Sequence, residues 1–298
     1  MTHVPVRHFF TVEVEDYFQD RHLAPYVPPA AWDQHPSRVE RNVDSLLGLL
    51  SDAGARATFF TSGWTAQRFP RLIRAIARQG HELASYGDTS ASWHPLTPVR
   101  FREEVSCVKK LLEDVSATQV IGYRARGFTL RASYEWAFDV LLEESYEYDS
   151  SRIQSDRSDR SDTGRLRAAT PRYPHAVACE SVGGSLLEIP VTPLTLWPGA
   201  SRSRVAGGAS LRHLPYPVVR NAFRRAERDG VPGVFCLHPW ELDSAQPRMR
   251  VPLAARVRHY GGLTRTAPRL GRLLAEFRFG SIAASLPHLV QNAPAIAA

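Results

Sequence analysis

Cysteine is scarce in this chain of 298 residues, which carries only Cys107, Cys179 and Cys236 and has no Cys-x-x-Cys pair. An odd and widely spaced set of this kind favours reduced thiols in a reducing compartment over a disulfide framework. Cys236 lies in the apolar run 234–237, so we expect it to be a buried strand residue.

Long apolar runs are missing as well. No stretch approaches the ~20 residues that a membrane-spanning helix needs. The few residues before the apolar run at Phe9 leave no room for a signal peptide. These observations predict a cytoplasmic protein with no membrane partner.

Lysine occurs only at Lys109 and Lys110, so almost all of the positive charge comes from arginine. A net charge of +7 and an isoelectric point near 9.6 would suit a nucleic-acid partner. However, the arginines are scattered, and the densest basic stretch, residues 152–167, is interleaved with aspartates that cancel much of its field. We therefore expect no nucleic-acid partner, and the sequence leaves the oligomeric state open.

Hydrophobic residues make up 43% of the chain, which is enough for the core of one large domain. Short apolar strands alternate with amphipathic helices, a pattern typical of parallel strands joined by helical crossovers. With this many units, a (β/α) barrel is favoured over an open sheet. The predicted strands cover 9–14, 57–60, 81–85, 120–123, 186–191 and 234–237, and the predicted helices include 69–79, 134–144, 218–228 and 266–277.

Two further helices are predicted from capping signals at their starts. Ser37-x-x-Glu40 has the form of a capping box, and apolar residues follow it at helical spacing up to Gly54. Thr97 followed by Pro98 predicts the N-cap and first turn of the other helix.

Carboxylates and hydroxyls follow two of the predicted strands, at the end where barrel enzymes carry their functional groups. Alternation along the first strand places Glu13 and Glu15 on one face, which is the inner face if the intervening valines contact the helices. Asp16 comes next, and Tyr86 and Ser90 follow the third strand. The alternative for the acidic segment is a solvated strand end, although clustered carboxylates raise each other's pKa unless a cation is near.

Basic residues follow two other strands. Arg124 and Arg126 come directly after the strand 120–123, in a position that suits a surface turn as well as a site. His238 ends the last predicted strand and precedes Pro239 and Trp240. A lone histidine in a core is more often structural, but this position favours acid–base catalysis.

The segment Gly80-His81-Glu82-Leu83-Ala84-Ser85-Tyr86-Gly87-Asp88-Thr89-Ser90 resembles the metal-binding segment of the polysaccharide deacetylase family. Five more segments resemble that family in the same order, namely 10–18, 57–60, 122–125, 148–151 and 237–241. The resemblance covers about residues 8–285 and is strongest to a branch linked to exopolysaccharide loci, whose C-terminal extension is similar to residues 205–280 here.

The resemblance implies a distorted (β/α) barrel of the polysaccharide deacetylase type. We expect the barrel core at residues 1–204, a C-terminal extension that completes the barrel at 205–285, and a tail at 286–298.

The family uses one carboxylate as general base, another carboxylate and two histidines as metal ligands, and a late histidine as general acid. Carried over by position, Glu13 replaces the usual aspartate base, Glu15 or Asp16 takes the metal-carboxylate position, and His238 is the acid. Arg124 matches the arginine that orients the base.

The expected metal ligands depart from the family pattern. Tyr86 and Ser90 stand at the two histidine positions, and a phenol and an alkyl hydroxyl are poor ligands for Zn²⁺. Arg126 stands where relatives have proline and adds a cation. Because the departures concentrate in the site while Arg124 and His238 remain, the resemblance implies a repurposed pocket.

The leading interpretation is an enzyme without a metal or other cofactor, acting on a small molecule or sugar derivative. Acid–base catalysis would hydrolyse a C–N bond, or move a proton in an elimination, isomerisation or cyclisation. Two alternatives stay open: a metal-dependent deacetylase of N-acetylated sugars with ligands rewired to His81, Asp88 or His94, and a non-catalytic carbohydrate-binding protein. The predicted catalytic residues are Glu13, His238, Arg124 and Tyr86, and the predicted substrate-binding residues are Glu15, Asp16, Arg126, Ser90 and Trp240.

Overall fold

The computed structural model describes residues 6–87, 97–128, 134–153, 174–179, 181–191, 193–194, 204–292 and 295–296. Within these ranges, no helix combines the length and the apolar character that crossing a bilayer requires.

In the described part of the chain, the strands lie close to their predicted positions wherever the prediction rested on an apolar run. They are β1 (His8–Val14), β2 (Thr58–Thr61), β3 (Glu82–Ser85), β4 (Gly122–Tyr123), β5 (Tyr148–Asp149), β6 (His175–Cys179), β7 (Gly184–Glu188), β8 (Pro193–Leu194), β9 (Arg204–Val205), β10 (Val234–Leu237), β11 (Phe279–Gly280) and β12 (Ala295–Ile296). One sheet has the order β10-β1-β2-β3-β4-β5-β7-β6-β12, with β11 beside β1, and β8 pairs with β9.

The helices surround this sheet and connect its strands. They are α1 (Val39–Asp52), α2 (Gly63–Arg68), α3 (Pro70–Arg78), α4 (Pro98–Ser116), α5 (Trp136–Glu143), α6 (Gly208–His213), α7 (Tyr216–Arg228), α8 (Leu253–Tyr260), α9 (Thr266–Glu276) and α10 (Leu286–Asn292). Neighbouring strands of the large sheet are parallel, as predicted, except that β6 and β7 form an antiparallel pair.

The two faces of the sheet bury different apolar clusters. On one face, Val12 and Val14 of β1 pack with apolar residues of the helices. On the other face, Phe9, Tyr148 and Val234 belong to a single cluster, although β5 and β10 are far apart in the sheet order. These side chains meet because the sheet curves round, which gives the predicted distorted (β/α) barrel.

The start of α1 differs from its predicted capping box. Arg38 is the N-cap residue, and its side chain makes no capping hydrogen bond. The Asp16 carboxylate instead accepts hydrogen bonds from Ser37 Oγ at 2.5 Å and from the N–H groups of Arg38 at 2.9 Å and Val39 at 3.2 Å. The capping-box prediction is therefore wrong, because a carboxylate from the end of β1 supplies the acceptors that a local side chain was expected to supply. The predicted start of α4 is confirmed, since Thr97 accepts from the N–H of Arg100.

The C-terminal residues contribute to the sheet. Within the predicted tail 286–298, Leu286–Asn292 form α10 and Ala295–Ile296 form β12, which pairs with β6. The strand β10, which belongs to the predicted extension 205–285, pairs along its whole length with β1. The chain segment that carries His238 therefore lies beside the segment that carries Glu13.

Candidate active site

A pocket of ≈ 530 Å³ is lined by residues at the carboxyl ends of β1, β3, β4 and β10. Five of the predicted site residues line it with charged or polar groups, namely Glu13, Glu15, Tyr86, Arg126 and His238. They meet because parallel strands place their carboxyl ends on the same side of a barrel.

Glu13 lies at the centre of a buried set of hydrogen bonds. Its Oε2 accepts from the hydroxyl of Tyr86 at 2.7 Å, and its Oε1 accepts from Cys236 Sγ at 3.1 Å and Arg124 Nη1 at 3.2 Å. The Nε2 atom of His238 lies 3.5 Å from Oε2.

The pKa of Glu13 reflects these contacts. Burial by itself would raise the pKa of this carboxyl. The positive charges of His238 and Arg124, with the hydrogen bonds from Tyr86 and Cys236, outweigh burial and hold the pKa below its usual value. Glu13 is therefore a buried carboxylate that is ionised at neutral pH.

Arg124 is held rigidly against Glu13. Its Nε and Nη2 donate to the carbonyl and hydroxyl oxygens of Ser150 at 3.0 and 2.9 Å, and its Nη1 also donates to Thr11 Oγ1 at 3.0 Å. The guanidinium carbon lies 4.0 Å from the centre of the Phe60 ring. With no exposed surface left, this side chain can orient Glu13 but cannot leave it.

Glu15 has an arginine of its own. The Nε atom of Arg126 donates to Glu15 Oε1 at 2.8 Å, and its Nη2 donates to the carbonyl oxygen of Gln19. The two carboxylates on the inner face of β1 are thus each matched by a guanidinium from the segment after β4.

His238 lies between the two carboxylates. Its Nδ1 is 3.3 Å from Glu15 Oε2, although the two atoms are not aligned as a hydrogen bond. Burial would lower the pKa of this imidazole, but the proximity of Glu15 and the negative charges of Glu13 and Glu241 raise it to about 9. The ring is therefore an imidazolium at neutral pH.

Tyr86 remains a neutral hydrogen-bond donor. Burial raises its pKa well above the usual value, and the charges of Glu13 and Glu15 raise it further. Its hydroxyl therefore retains its proton and directs it at Glu13.

Trp240 forms the wall of the pocket behind His238. Its indole stacks on the His238 ring with centroids 5.6 Å apart and, more closely, on the His259 ring at 4.2 Å. The Nδ1 of His259 lies 2.7 Å from Asp20 Oδ2, and its Nε2 lies 2.8 Å from Gln246 Oε1.

The His259 ring faces a hydrogen-bond acceptor at each nitrogen. Gln246 uses its amide N–H groups on the carbonyl oxygens of Trp240 and Asp243, so its own oxygen faces His259. The other nitrogen of the ring faces the Asp20 carboxylate. Burial would raise the pKa of Asp20, but the hydrogen bond and charge of His259 lower it.

Arg212 of α6 holds Glu241, and Glu241 in turn fixes the main chain at His238. Glu241 Oε2 accepts from the His238 N–H at 3.0 Å, and Glu241 Oε1 accepts from Arg212 Nε at 3.0 Å. A Cβ atom at Gly208 would lie 1.9 Å from Glu241 Oε2, so only glycine lets α6 approach this closely.

Not every predicted site residue reaches the pocket. The Asp16 carboxylate is turned to the N-terminus of α1, a placement that contradicts its predicted substrate-binding role. His81 is buried at the start of β3, where its Nδ1 accepts from the N–H of Ala57 at 3.2 Å. Ser90, Asp88 and His94 lie outside the described residues.

Several pocket residues were not predicted, among them Cys236, Asp20 and Arg212. Cys236 was expected only as a buried strand residue, but its thiol also contacts Glu13. Alternation could have revealed it, because residues two apart on a strand, such as Cys236 and His238, share a face. Asp20 and Arg212 reach the pocket from a turn and a short helix, for which the sequence offered no signal.

The donor set suits proton transfer better than metal binding. An ionised carboxylate and an imidazolium lie 3.5 Å apart, so one can accept a proton while the other donates one. In the described part of the chain, no three His, Cys, Asp or Glu side chains are arranged to hold a metal ion. Glu15, the nearest candidate ligand, directs one oxygen at Arg126 and the other at His238.

Comparison with known proteins matches two parts of the chain to family models. Residues 30–134 match the polysaccharide deacetylase model, and residues 160–287 match a domain of unknown function, DUF3473. No curated protein matches the chain.

Solved structures share the fold over nearly the whole length. A protein described as a polysaccharide deacetylase from Mycobacterium smegmatis is 22% identical, with 97% of this chain and 94% of that chain covered and a TM-score of 0.65. One described in the same way from Pseudomonas aeruginosa PAO1 is 17% identical, with 96% and 91% covered and a TM-score of 0.59. The Puue allantoinase is 17% identical, with 96% and 90% covered and a TM-score of 0.60. Residues 30–134 are thus similar to the polysaccharide deacetylase family, and the chain shares the fold of these solved structures.

Proposed function

We propose that this protein is a metal-independent hydrolase that cleaves a C–N bond in a sugar derivative or small molecule. The observation that carries the proposal is the position of His238 between Glu13 and Glu15, each of which is paired with its own arginine. The pocket thus supplies a base, an acid and, at Arg126, a positive charge that can stabilise an oxyanion in place of a Lewis acid.

In this proposal Glu13 removes a proton from the attacking water, and the oxygen of that water forms the new bond to the carbonyl carbon. Once Glu13 is protonated, it no longer requires the hydrogen bond from Tyr86, so the Tyr86 hydroxyl turns to the developing oxyanion. The positive charge of Arg126 also stabilises that oxyanion. His238 gives its proton to the leaving nitrogen as the C–N bond breaks. The products are a carboxylic acid and an amine, and no atom or electron is left unbalanced.

The substrate class follows from the missing Lewis acid. A metal ion supplies several kcal/mol of carbonyl polarisation, so an unactivated acetamide suits this pocket less than an activated amide or a cyclic ureide. The same fold serves a protein described as an allantoinase, so this scaffold is compatible with C–N bonds in sugar derivatives and in other small molecules. A proton-transfer reaction such as an elimination, isomerisation or cyclisation would use the same acid and base.

Among the described residues, those that line the pocket do not fit a zinc ion. Tyr86 directs its hydroxyl proton at Glu13, and both oxygens of Glu15 face cations that a metal would have to displace. The proposal therefore includes the loss of the metal site, with Tyr86 and Ser90 at the positions of the two histidine ligands. The metal-dependent alternative would need ligands such as Asp88 and His94.

A non-catalytic carbohydrate-binding protein is the second candidate, and one observation favours it. The donors around Glu13 lower the pKa of its carboxyl, and a carboxylate with a low pKa is a weak base. Activity measurements on variants of this residue separate the two candidates.

We also infer a cytoplasmic location and a relationship to the exopolysaccharide-locus branch. The described cysteines are free, which is consistent with a reducing compartment. The match at residues 160–287 includes the predicted extension 205–285, which is consistent with that branch.

The test is turnover of a panel of N-acetylated sugars, activated amides and cyclic ureides, followed by release of the amine or, for the ureides, by appearance of the ring-opened ureido acid. We expect His238→Ala and Glu13→Gln each to lower kcat by ~10²-fold or more, because one removes the acid and the other removes only the base. His288→Ala and Glu40→Gln, which change exposed residues, are the matched controls and should keep full activity.

Full activity in both site variants would show that the acid–base assignment is wrong and that the pocket only binds. If Tyr86→Phe is instead the most damaging change, Tyr86 and not His238 is the proton donor.

A further inference from the structure

The carboxylates that line the pocket are all matched by basic groups. The pairs are Glu13 with Arg124, Glu15 with Arg126, Glu241 with Arg212, and Asp20 with His259. Any further positive charge at the pocket is therefore in excess of the local negative charge.

Two exposed arginines at the pocket supply that excess. Arg21 and Arg258 both line the pocket, and no carboxylate among the described residues forms an ion pair with either of them. His22, which lies beside them, has a lowered pKa, first because of burial and then because of the charges of Arg21 and Arg258. Its neutral ring adds a hydrogen-bonding group without changing the balance of charge.

A buried contact joins the two backbone segments that carry these arginines. Arg21 follows Asp20 and Arg258 precedes His259, and Asp20 and His259 are joined by a contact of 2.7 Å. The carbonyl oxygen of Arg258 also accepts from Arg212 Nη1 at 3.3 Å, which fixes the end of α8 to α6. Both guanidiniums are therefore carried by a rigid backbone, although their side chains are exposed.

The two arginines line the same pocket as His238 and Trp240. Trp240 stacks on His238 and also on His259, the residue that follows Arg258. A group held by these arginines therefore belongs to a ligand that also reaches His238.

We propose that Arg21 and Arg258 bind the carboxylate of an acidic sugar unit adjacent to the unit that reacts at His238. This inference rests on the proposed function for the identity of the reacting unit and adds a uronic acid as its neighbour. Guanidinium groups suit this role because they bind carboxylates through two parallel hydrogen bonds.

The test measures binding, so that it does not depend on turnover. The probes are a hyaluronan tetrasaccharide, in which glucuronate stands beside N-acetylglucosamine, and the same tetrasaccharide with its carboxylates methyl-esterified. By calorimetry, the full-length protein should bind the acid about tenfold or more tightly than the ester, and added salt should remove the difference.

The variant Arg21→Gln with Arg258→Gln should lose this preference and bind both probes equally. The control Arg41→Gln with Arg256→Gln removes the same charge from exposed positions of α1 and α8 that do not line the pocket, and it should keep the preference. Equal binding of acid and ester by the unmodified protein, binding of neither, or an equal loss in the control would overturn the inference.

A failure of the proposed function would look different. His238→Ala should still prefer the acid over the ester, because the carboxylate subsite does not include that ring. A protein that prefers the acid but turns over no substrate would retain this subsite and lose the hydrolase assignment.

Discussion

At the scale of single residues, the site is organised by the two carboxylates on the inner face of β1. Each would be costly to bury alone, and each is accommodated because an arginine and the His238 ring lie within ion-pair distance. The same arrangement that lowers the pKa of Glu13 raises the pKa of His238. The carboxylate of Glu13 and the ring of His238 therefore shift each other's pKa.

The raised pKa of His238 predicts a pH-dependent stability. The folded-state pKa is about 9, against a usual value of 6.5, so the stabilisation is complete below 6.5 and is lost as pH rises through about 9. We expect the unmodified protein to exceed His238→Gln in free energy of unfolding by about 1–3 kcal/mol near pH 6, with little difference near pH 10.

Urea unfolding at both pH values measures this difference. His288→Gln replaces an exposed histidine and serves as the control, which should match the unmodified protein at both pH values. A difference for His238→Gln that is constant with pH would contradict the assigned imidazolium.

At the scale of elements, the start of α1 shows how one carboxylate links a strand to a helix. Asp16 follows β1 and accepts hydrogen bonds from the first N–H groups of α1, which no side chain of the helix itself satisfies. The turn after Glu15 is therefore tied to a helix on the outer face of the barrel. This connection helps to hold the pocket edge of β1 in place.

Asp16→Ala should destabilise the protein. Loss of a helix N-cap costs about 0.5–2 kcal/mol, and here two of the donors left behind, the N–H groups of Tyr17 and Val39, are buried. We therefore expect a loss of about 2 kcal/mol in the free energy of unfolding. Urea unfolding measures it, and Asp44→Ala, on the exposed face of α1, is the matched control with an expected change within about 0.5 kcal/mol. A loss no larger than that of the control would show that the Asp16 contacts do not support α1.

At the scale of the whole molecule, the pocket depends on a contact between distant parts of the chain. β1 pairs with β10, and this pairing places Cys236 and His238 beside Glu13 although the two segments are more than 200 residues apart. The C-terminal half of the chain is therefore part of the site.

Chelator treatment should leave the whole molecule unchanged. A metal that binds only the folded state stabilises it, so removing one would lower the Tm. We expect no shift in Tm with EDTA, measured by calorimetry, and no stoichiometric Zn²⁺, Ni²⁺ or Co²⁺ by elemental analysis of protein purified without added metal. A drop of several degrees, or a stoichiometric metal, would support the metal-dependent alternative with rewired ligands.

Several features could be predicted from the sequence because they depend on local pattern. The apolar runs determined most strands of the barrel, and alternation along β1 determined that Glu13 lies on the face opposite Val12 and Val14. Glu15 lies one residue beyond β1, where its N–H donates to the carbonyl oxygen of Glu13 at 2.9 Å. The position of His238 at a strand end determined that it would lie at the carboxyl rim of the barrel, where the structure places it.

The tertiary structure alone decided how these residues are paired. The contact between Glu13 and Arg124 joins residues 111 positions apart, and the contact between Asp20 and His259 joins residues 239 positions apart. Local pattern carries no information on such pairs, because side chains that are distant in sequence come into contact only through the pairing of the strands and the curvature of the sheet. For the same reason, the sequence did not show that Asp16 caps a helix.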